Sequence, residues 1–290
     1  MKKMGKAHSK FFFFLPLFSV LIVMVGYPLA YTMYMSFFKK TAAITIPELV
    51  GINNYILLLQ DNVFLKVVFN TFVWTITNVV ATLGIGLILS LILSDIRLKG
   101  IRLFRMIIII PWSFSVPGMM AWVWLMSSDY GYFNELLKNL GLIGNYIAWL
   151  SEPKIVLFSC VIPNVWHMFP YMTVMLLAGL QSIPIELYDA AAVDGVNKVQ
   201  KFVYITLPQL APTLLVATTL YMIWTMNSFV PYVLVPGGLA NNAVTLPIYI
   251  YHLFFTKFDF GSGSAAATFL FLLNLILTIL YIRSFKVEWK

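Results

Sequence analysis

Six long apolar stretches, separated by polar segments, dominate the pattern along the chain. They cover residues 11–38, 67–94, 106–126, 155–180, 210–235 and 265–282. A bilayer's hydrocarbon core needs about 20 mostly apolar helical residues, and each stretch is near or above that length. The pattern therefore predicts an all-α integral membrane protein with six transmembrane helices. The first stretch is bracketed by Lys10 and by Lys39 and Lys40, and no small-residue cleavage site follows its long apolar core before Lys39. It reads as a retained membrane helix rather than a cleavable signal peptide.

Composition sharpens this picture. Apolar residues make up 61% of the chain and charged residues 10%, where soluble domains carry about 25% charged. Soluble globular, collagen-like, disordered and small secreted classes are excluded. One cysteine and three histidines give neither an internal disulfide framework nor a structural zinc site. The net charge of +8 invites a nucleic-acid partner, but its distribution points elsewhere. With the termini and the second and fourth loops on one side, that side holds 13 of the 19 basic residues, among them Lys2, Lys3, Lys6, Lys10, Arg97, Lys99, Arg102 and Arg105. It holds 5 of the 11 acidic ones, so the whole excess lies there. A basic excess beside helix ends is the positive-inside signal. It predicts cytoplasmic N- and C-termini and a membrane lipid environment, with no nucleic acid.

The outer segments 39–66, 127–154 and 236–264 are long, rich in turn formers and poor in charge. They either cap the fold or contact another protein. The inner loop 181–209 is different. Ser182 suits a helix cap, Pro184 a first turn and Glu186 the positive end of a helix dipole. Ala190, Ala191 and Ala192 favour helix, and Gly195 ends it. A second short helix should stop before Pro208. The resulting helix–turn–helix, with Leu187 and Ala191 on a smooth face, is either a stable connector or a docking element whose Asp189 and Asp194 pair with basic groups of a soluble partner.

Polar groups at membrane depth are Asn70, Asn78, His167, Thr225, Asn227, Ser228 and Asn274. Such groups line a pathway or form interhelical hydrogen bonds. No Asp, Glu, Lys or Arg lies deep in a stretch, which argues against proton or ion coupling. Tyr221, Thr225 and Ser228 fall at i, i+4 and i+7 beside Trp224, a mixture that suits either a sugar or ordinary helix packing. Pro111, Pro117, Pro163 and Pro170 predict irregular helices. The chain has no phosphate loop, no His-Glu-x-x-His motif and no nucleophile elbow. Asp189 and Asp194 lie on different helix faces, so no catalytic pair is evident. A non-catalytic subunit without its own cofactor is expected.

Asp189, Ala190, Ala191, then Gly195, then Ile205, Leu207 and Pro208 reproduce the spacing of the loop motif of bacterial ATP-binding-cassette (ABC) importer permeases, with Asp189 where the family has glutamate. Gly51 to Tyr55, Asn70-Thr71, Pro111-Trp112, Ala148 to Pro153, Ala178 to Pro184 and Val235 to Gly238 are similar to the sugar-importing branch, although the proline that follows the last glycines in that branch is missing. The resemblance, strongest to the larger maltose-importer permease, implies a type I ABC importer permease fold. The layout would be residues 1–66 with the first helix and outer loop, a core over 67–284 containing the coupling loop 181–209, and a tail over 285–290. It implies an inner-membrane location, a second six-span chain, two cytoplasmic ATPase subunits that carry ATP and Mg, and an extracytoplasmic solute-binding protein. Coupling would fall on Glu186, Asp189, Ala190, Ala191, Asp194, Gly195, Ile205, Leu207 and Pro208. Substrate contacts would fall on Trp112, His167, Tyr171, Tyr221, Trp224, Thr225 and Ser228, or on the partner chain alone. Glycerol-3-phosphate importers share this architecture, but a phosphorylated substrate would want a deep cation. Their lack here favours a neutral sugar.

Overall fold

The computed structural model describes residues 14–44, 46–95, 99–114 and 116–284. Lys2, Lys3, Lys6, Lys10, Arg97 and the tail 285–290 lie outside the described residues. Helices follow in the order α1 (Phe14–Met35), α2 (Asn53–Gln60), α3 (Asn62–Ser94), α4 (Ile101–Ser113), α5 (Val116–Leu125), α6 (Tyr132–Asn139), α7 (Val156–Gln181), α8 (Ile185–Val193), α9 (Lys198–Met226), α10 (Val230–Leu234), α11 (Leu246–Thr256) and α12 (Phe260–Ser284). A two-residue hairpin, β1 (Phe38–Lys39) and β2 (Glu48–Leu49), sits between α1 and α2. Among the described residues α1, α3, α7, α9 and α12 are each long and apolar enough to cross a membrane. The pair α4–α5 makes a sixth span bent by 87°. In hydrocarbon every backbone polar group must be met internally, which is why helices carry the apolar stretches.

The described residues divide into two compact units, those up to Leu65 with Tyr249–Leu272, and those from Lys66 to Ile248 with those from Leu273 on. In the first unit the end of α1 is closed by Asn54, whose Nδ2 donates to the carbonyls of Ser36 at 2.8 Å and Phe38 at 2.9 Å. Tyr55 Oη adds a bond to Ser36 Oγ at 2.6 Å. Asn54 thus satisfies one carbonyl at the end of the helix and one in β1. Phe64 packs on Tyr249 and Phe269, with centroids 5.7 and 5.3 Å away.

In the second unit α3, α7 and α9 carry the core. One cluster gathers Trp74, Met119, Val156, Cys160 and Val165; the other gathers Tyr171, Met172, Leu176, Leu210, Leu214 and Tyr221. Two glycines permit the close crossings. A Cβ on Gly86 would lie 2.6 Å from Met172 Cγ, and one on Gly179 would lie 2.7 Å from Leu210 Cδ1. Small residues at such contacts are how membrane helices approach without a hydrophobic drive between them. The segment 127–154 folds around the fully buried Asn134. Its Oδ1 accepts from Ile147 N and Trp149 Nε1, and its Nδ2 donates to the Ser127 and Ile147 carbonyls. Beside it Tyr146 donates to Glu135, and that bond holds the phenol above its ordinary range.

Several expectations change. The fifth span starts earlier and ends earlier than 210–235: α9 begins at Lys198, ends at Met226, and α10 is separate. Pro208 does not stop it. A wide turn over Phe202–Thr206 precedes the proline. Such a turn re-registers the backbone where proline lacks an N–H and its ring would strike the carbonyl four residues back. The same device, Ile22–Gly26, precedes Pro28 in α1. Ser182 closes α7 rather than opening α8, its hydroxyl donating to the Gly179 carbonyl at 2.8 Å. Pro184 stands just before the first turn of α8. The outer segment 236–264 contains the apolar helix α11.

Candidate functional site

Two places collect the residues singled out above. The first is the loop between α7 and α9. Alanine-rich α8 carries Glu186 in its first turn and ends where Gly195 adopts φ +72°. Val196 N reaches back to the Ala191 carbonyl at 3.0 Å, closing the helix with a left-handed glycine that other residues fit poorly. Asn197 and Gln200 then form a reciprocal cap that starts α9. Asp189, Ala190, Asp194 and Gly195 are exposed, as are Glu186, Leu207 and Pro208, whereas Ile205 is half-buried. Ala191 is buried and turns inward. Tyr188 Oη, 3.0 Å from Thr206 Oγ1, ties α8 to the start of α9.

The second place lies where α4, α7 and α9 meet. Tyr171 is its centre: its ring is 6.0 Å from Trp112, 5.0 Å from Trp224 and 6.5 Å from Tyr221. Trp112 is 44% exposed and Trp224 47%, while Tyr171 is buried between them. His167, one turn before Tyr171, places Nδ1 3.0 Å from the Pro111 carbonyl. A carbonyl only accepts, so Nδ1 carries the hydrogen and Nε2 of the neutral ring is left as an acceptor.

Behind these rings is a buried polar lattice. Asn164 Nδ2 donates to Asn78 Oδ1 at 2.6 Å and to Tyr221 Oη at 3.3 Å, and Tyr221 Oη shares a hydrogen bond with Thr82 at 2.9 Å. Trp74 Nε1 donates to the Thr225 carbonyl at 3.1 Å. Tyr221 and Thr225 are 1% and 2% exposed, buried beside the half-exposed Trp224 on the same helix. Ser228 lies beyond the end of α9, so it does not continue the i, i+4, i+7 face; its Oγ accepts from Val230 N at 3.2 Å. The structure thus brings Trp112, His167, Tyr171 and Trp224 together at the surface of the unit. Tyr221 and Thr225 lie behind them, and Ser228 lies apart.

Asn164 and Thr82 were not singled out from the sequence, although a polar residue beside Pro163 at membrane depth is the kind of signal that finds them. Asn78 makes an interhelical bond, whereas Asn70 instead donates to the carbonyls of Asn241, Asn242 and Val244. These acceptors follow or belong to a run of five residues, Gly237 to Asn241, all with positive φ. Among the described residues no group of three or more His, Cys, Asp or Glu side chains could hold a metal ion.

Comparison with known proteins agrees with this architecture. The trehalose/maltose transport system permease protein MalF of Thermococcus litoralis is 34% identical over 97% of this chain and 95% of its own. The sulfoquinovosyl glycerol transport system permease protein SmoG of Agrobacterium fabrum is 33% identical over 93% of this chain and 87% of its own. A crystal structure of a bacterial ABC transporter involved in the import of the acidic polysaccharide alginate contains a chain that superposes with a TM-score of 0.81. It is 21% identical and covers 98% of this chain and 96% of that one. The fold is that of a type I ABC importer permease. Residues 7–284 match the family described as the binding-protein-dependent transport system inner membrane component, and the chain belongs to that family.

Proposed function

We propose that this inner-membrane component forms half of the pathway of an ATP-driven importer for a neutral sugar or oligosaccharide. Its termini face the cytoplasm, in keeping with the basic excess of the loops. A second six-span chain completes the pathway, two ATPase subunits dock on the α8–α9 loop, and an extracytoplasmic binding protein delivers the sugar. ATP and Mg belong to the ATPase subunits.

The observation that carries this reading is the continuity of α9. Its 29 residues begin at the capped loop and end at the aromatic cluster, a rod of roughly 43 Å at 1.5 Å per residue. A push on Glu186, Asp189 and Asp194 passes through Ala191 and the Tyr188–Thr206 bond into that rod, with Ile205, Leu207 and Pro208 at its start. At the far end it moves Trp224 relative to Trp112 and Tyr171. The two half-exposed indoles offer flat faces to pyranose C–H groups, and His167 Nε2 accepts a sugar hydroxyl. Tyr221 and Thr225 hold the wall from behind, and Ser228 fixes the turn after it.

The test is uptake of a radiolabelled neutral disaccharide by cells expressing the full transporter, with Gly195→Val and Trp224→Leu as variants. Loss of uptake with Gly195→Val, and with Trp224→Leu a half-saturating sugar concentration raised about fivefold, each at normal membrane abundance, is the expected result. Full uptake by Gly195→Val would refute the coupling role of the loop. Relatives named for a sulfonated and an acidic sugar favour a second reading, an anionic saccharide. Trp112, His167, Tyr171 and Trp224 bring no lysine or arginine, which supports the neutral one. Competition of disaccharide uptake by a sulfonated sugar decides between them: strong competition overturns neutrality.

A further inference from the structure

A cavity of about 650 Å³ lies between the end of α3 and the start of α9, lined by Leu91, Ser94, Tyr188, Lys198, Lys201 and Phe202 among others. It is separate from the aromatic cluster. It also lies behind α8 rather than on its outward face, because the inward Tyr188 lines it while Ile185 and Val193 are 66% and 89% exposed.

Its hydroxyls are already engaged. Ser94 Oγ donates to the Leu91 carbonyl at 2.7 Å. Thr206 Oγ1, also in the lining, donates to the Lys201 carbonyl at 3.4 Å, so Tyr188 Oη donates its hydrogen to Thr206. The donors left to face a ligand are the ammonium groups of Lys198 and Lys201, three residues apart on one helix face. No carboxylate is among the lining residues. Both lysines stand in the first turn of the long helix α9, whose dipole adds positive potential. Leu91 and Phe202 supply an apolar wall beside this cationic rim. Since α3 ends at Ser94, the cavity sits at the end of a membrane span, the depth at which lipid headgroups lie.

We propose that this cavity binds a phosphate group held by Lys198 and Lys201. The chemistry is shared by a phospholipid headgroup, whose glycerol and acyl carbons would follow the apolar wall, and by a soluble phosphate. Either ligand would set the stiffness of the joint between the α8 loop and α9. The proposal stands independently of which solute the protein carries.

The experiment uses the full-length chain with whatever subunits co-purify, in mild detergent, and reads thermal unfolding by tryptophan fluorescence. Short-chain phosphatidylglycerol, short-chain phosphatidylcholine and inorganic phosphate are titrated separately. Phosphatidylglycerol should raise the midpoint. Lys198→Gln with Lys201→Gln should weaken its apparent affinity about thirtyfold, from the attraction lost per cation. Lys198→Arg with Lys201→Arg should retain it, and so should the distant control pair Lys138→Gln with Lys154→Gln. A shift with inorganic phosphate, lost in the same double variant, would assign a soluble ligand instead of a lipid. Equal shifts with phosphatidylcholine, shifts unchanged by the double glutamine variant, or no shift at all would each overturn the proposal.

Discussion

The α8–α9 loop and the aromatic cluster stand at opposite ends of one helix and are built by opposite means. The loop is shaped by neighbours in sequence: Val196 reaches Ala191, Gln200 and Asn197 cap each other, and Gly195 turns because it can take φ +72°. The cluster is shaped by partners far apart in sequence. Tyr171 meets Trp112 and Trp224, and Tyr221 meets Thr82 and Asn164. A locally determined loop keeps its form when docked or free, which suits a handle. A wall assembled from three helices changes whenever they move, which suits a gate. The contrast also separates what a mutation should disturb: local backbone in one place, helix-to-helix packing in the other.

The largest effect should come from the centre of the cluster. Tyr171→Ala removes a buried ring touching three others and should destabilise the protein by about 3 kcal/mol, read as a lower unfolding midpoint in detergent. Tyr171→Phe should cost under about 1 kcal/mol, because the bond from its hydroxyl to the Ala217 carbonyl is long at 3.4 Å. If the two variants behaved alike, the cluster would not be held by packing.

Next comes the handle. Gly195→Val forces a β-branched residue into left-handed backbone, a strain of about 1–2 kcal/mol or more, although open space surrounds the position. Sugar uptake should fall at least about tenfold, while the unfolding midpoint should drop by only about half as much as for Tyr171→Ala. A midpoint drop as large as that of Tyr171→Ala would erase the distinction between the two regions.

A smaller effect belongs to the half-exposed rings. Trp112→Leu and Trp224→Leu should each raise the half-saturating sugar concentration about fivefold, the scale of one aromatic contact, with stability nearly unchanged. The smallest belongs to Ser228→Ala. It loses one local bond to Val230 N and should alter stability by no more than about 0.5 kcal/mol and uptake not measurably. A marked uptake defect there would return Ser228 to the group of substrate contacts.

The same division explains what the sequence made legible. Apolar runs announce spans, so α1, α3, α7 and α12 lie near their expected places, as does the helix stop at Gly195. The missed features all depend on partners or on backbone adjustments that composition does not encode. Pro208 reads as a stop unless a wide turn absorbs it. Ser182 fits either of two helix ends, and its backbone and hydroxyl bonds to the Gly179 carbonyl decide between them. Asn54 and Asn134 look like loop formers, yet each is buried and satisfies carbonyls that their own segments leave open. α11 is apolar but too short to register as a span. In the cluster the aromatic residues were legible and their sidedness was not. Tyr221 and Trp224 are three residues apart, yet one is buried and the other nearly half exposed.

The wide turn at Phe202–Thr206 keeps the phase of that helix. It inserts one residue beyond the ordinary helical repeat between the capped loop and everything beyond it. Because the widened turn itself absorbs the extra residue, removing one residue there would restore an even pitch with the distal half near its present angle, whereas removing one from the regular helix beyond it would rotate everything distal by about 100° relative to the loop. Trp224 would swing off the shared wall and Tyr221 out of the polar lattice, although no contact of either had been edited. The two ends of α9 therefore behave like keyed parts on one shaft. Their relative angle is inherited from the regular helix between them, and length changes there should be tolerated far less well than substitutions, or than the loss of one residue from the wide turn.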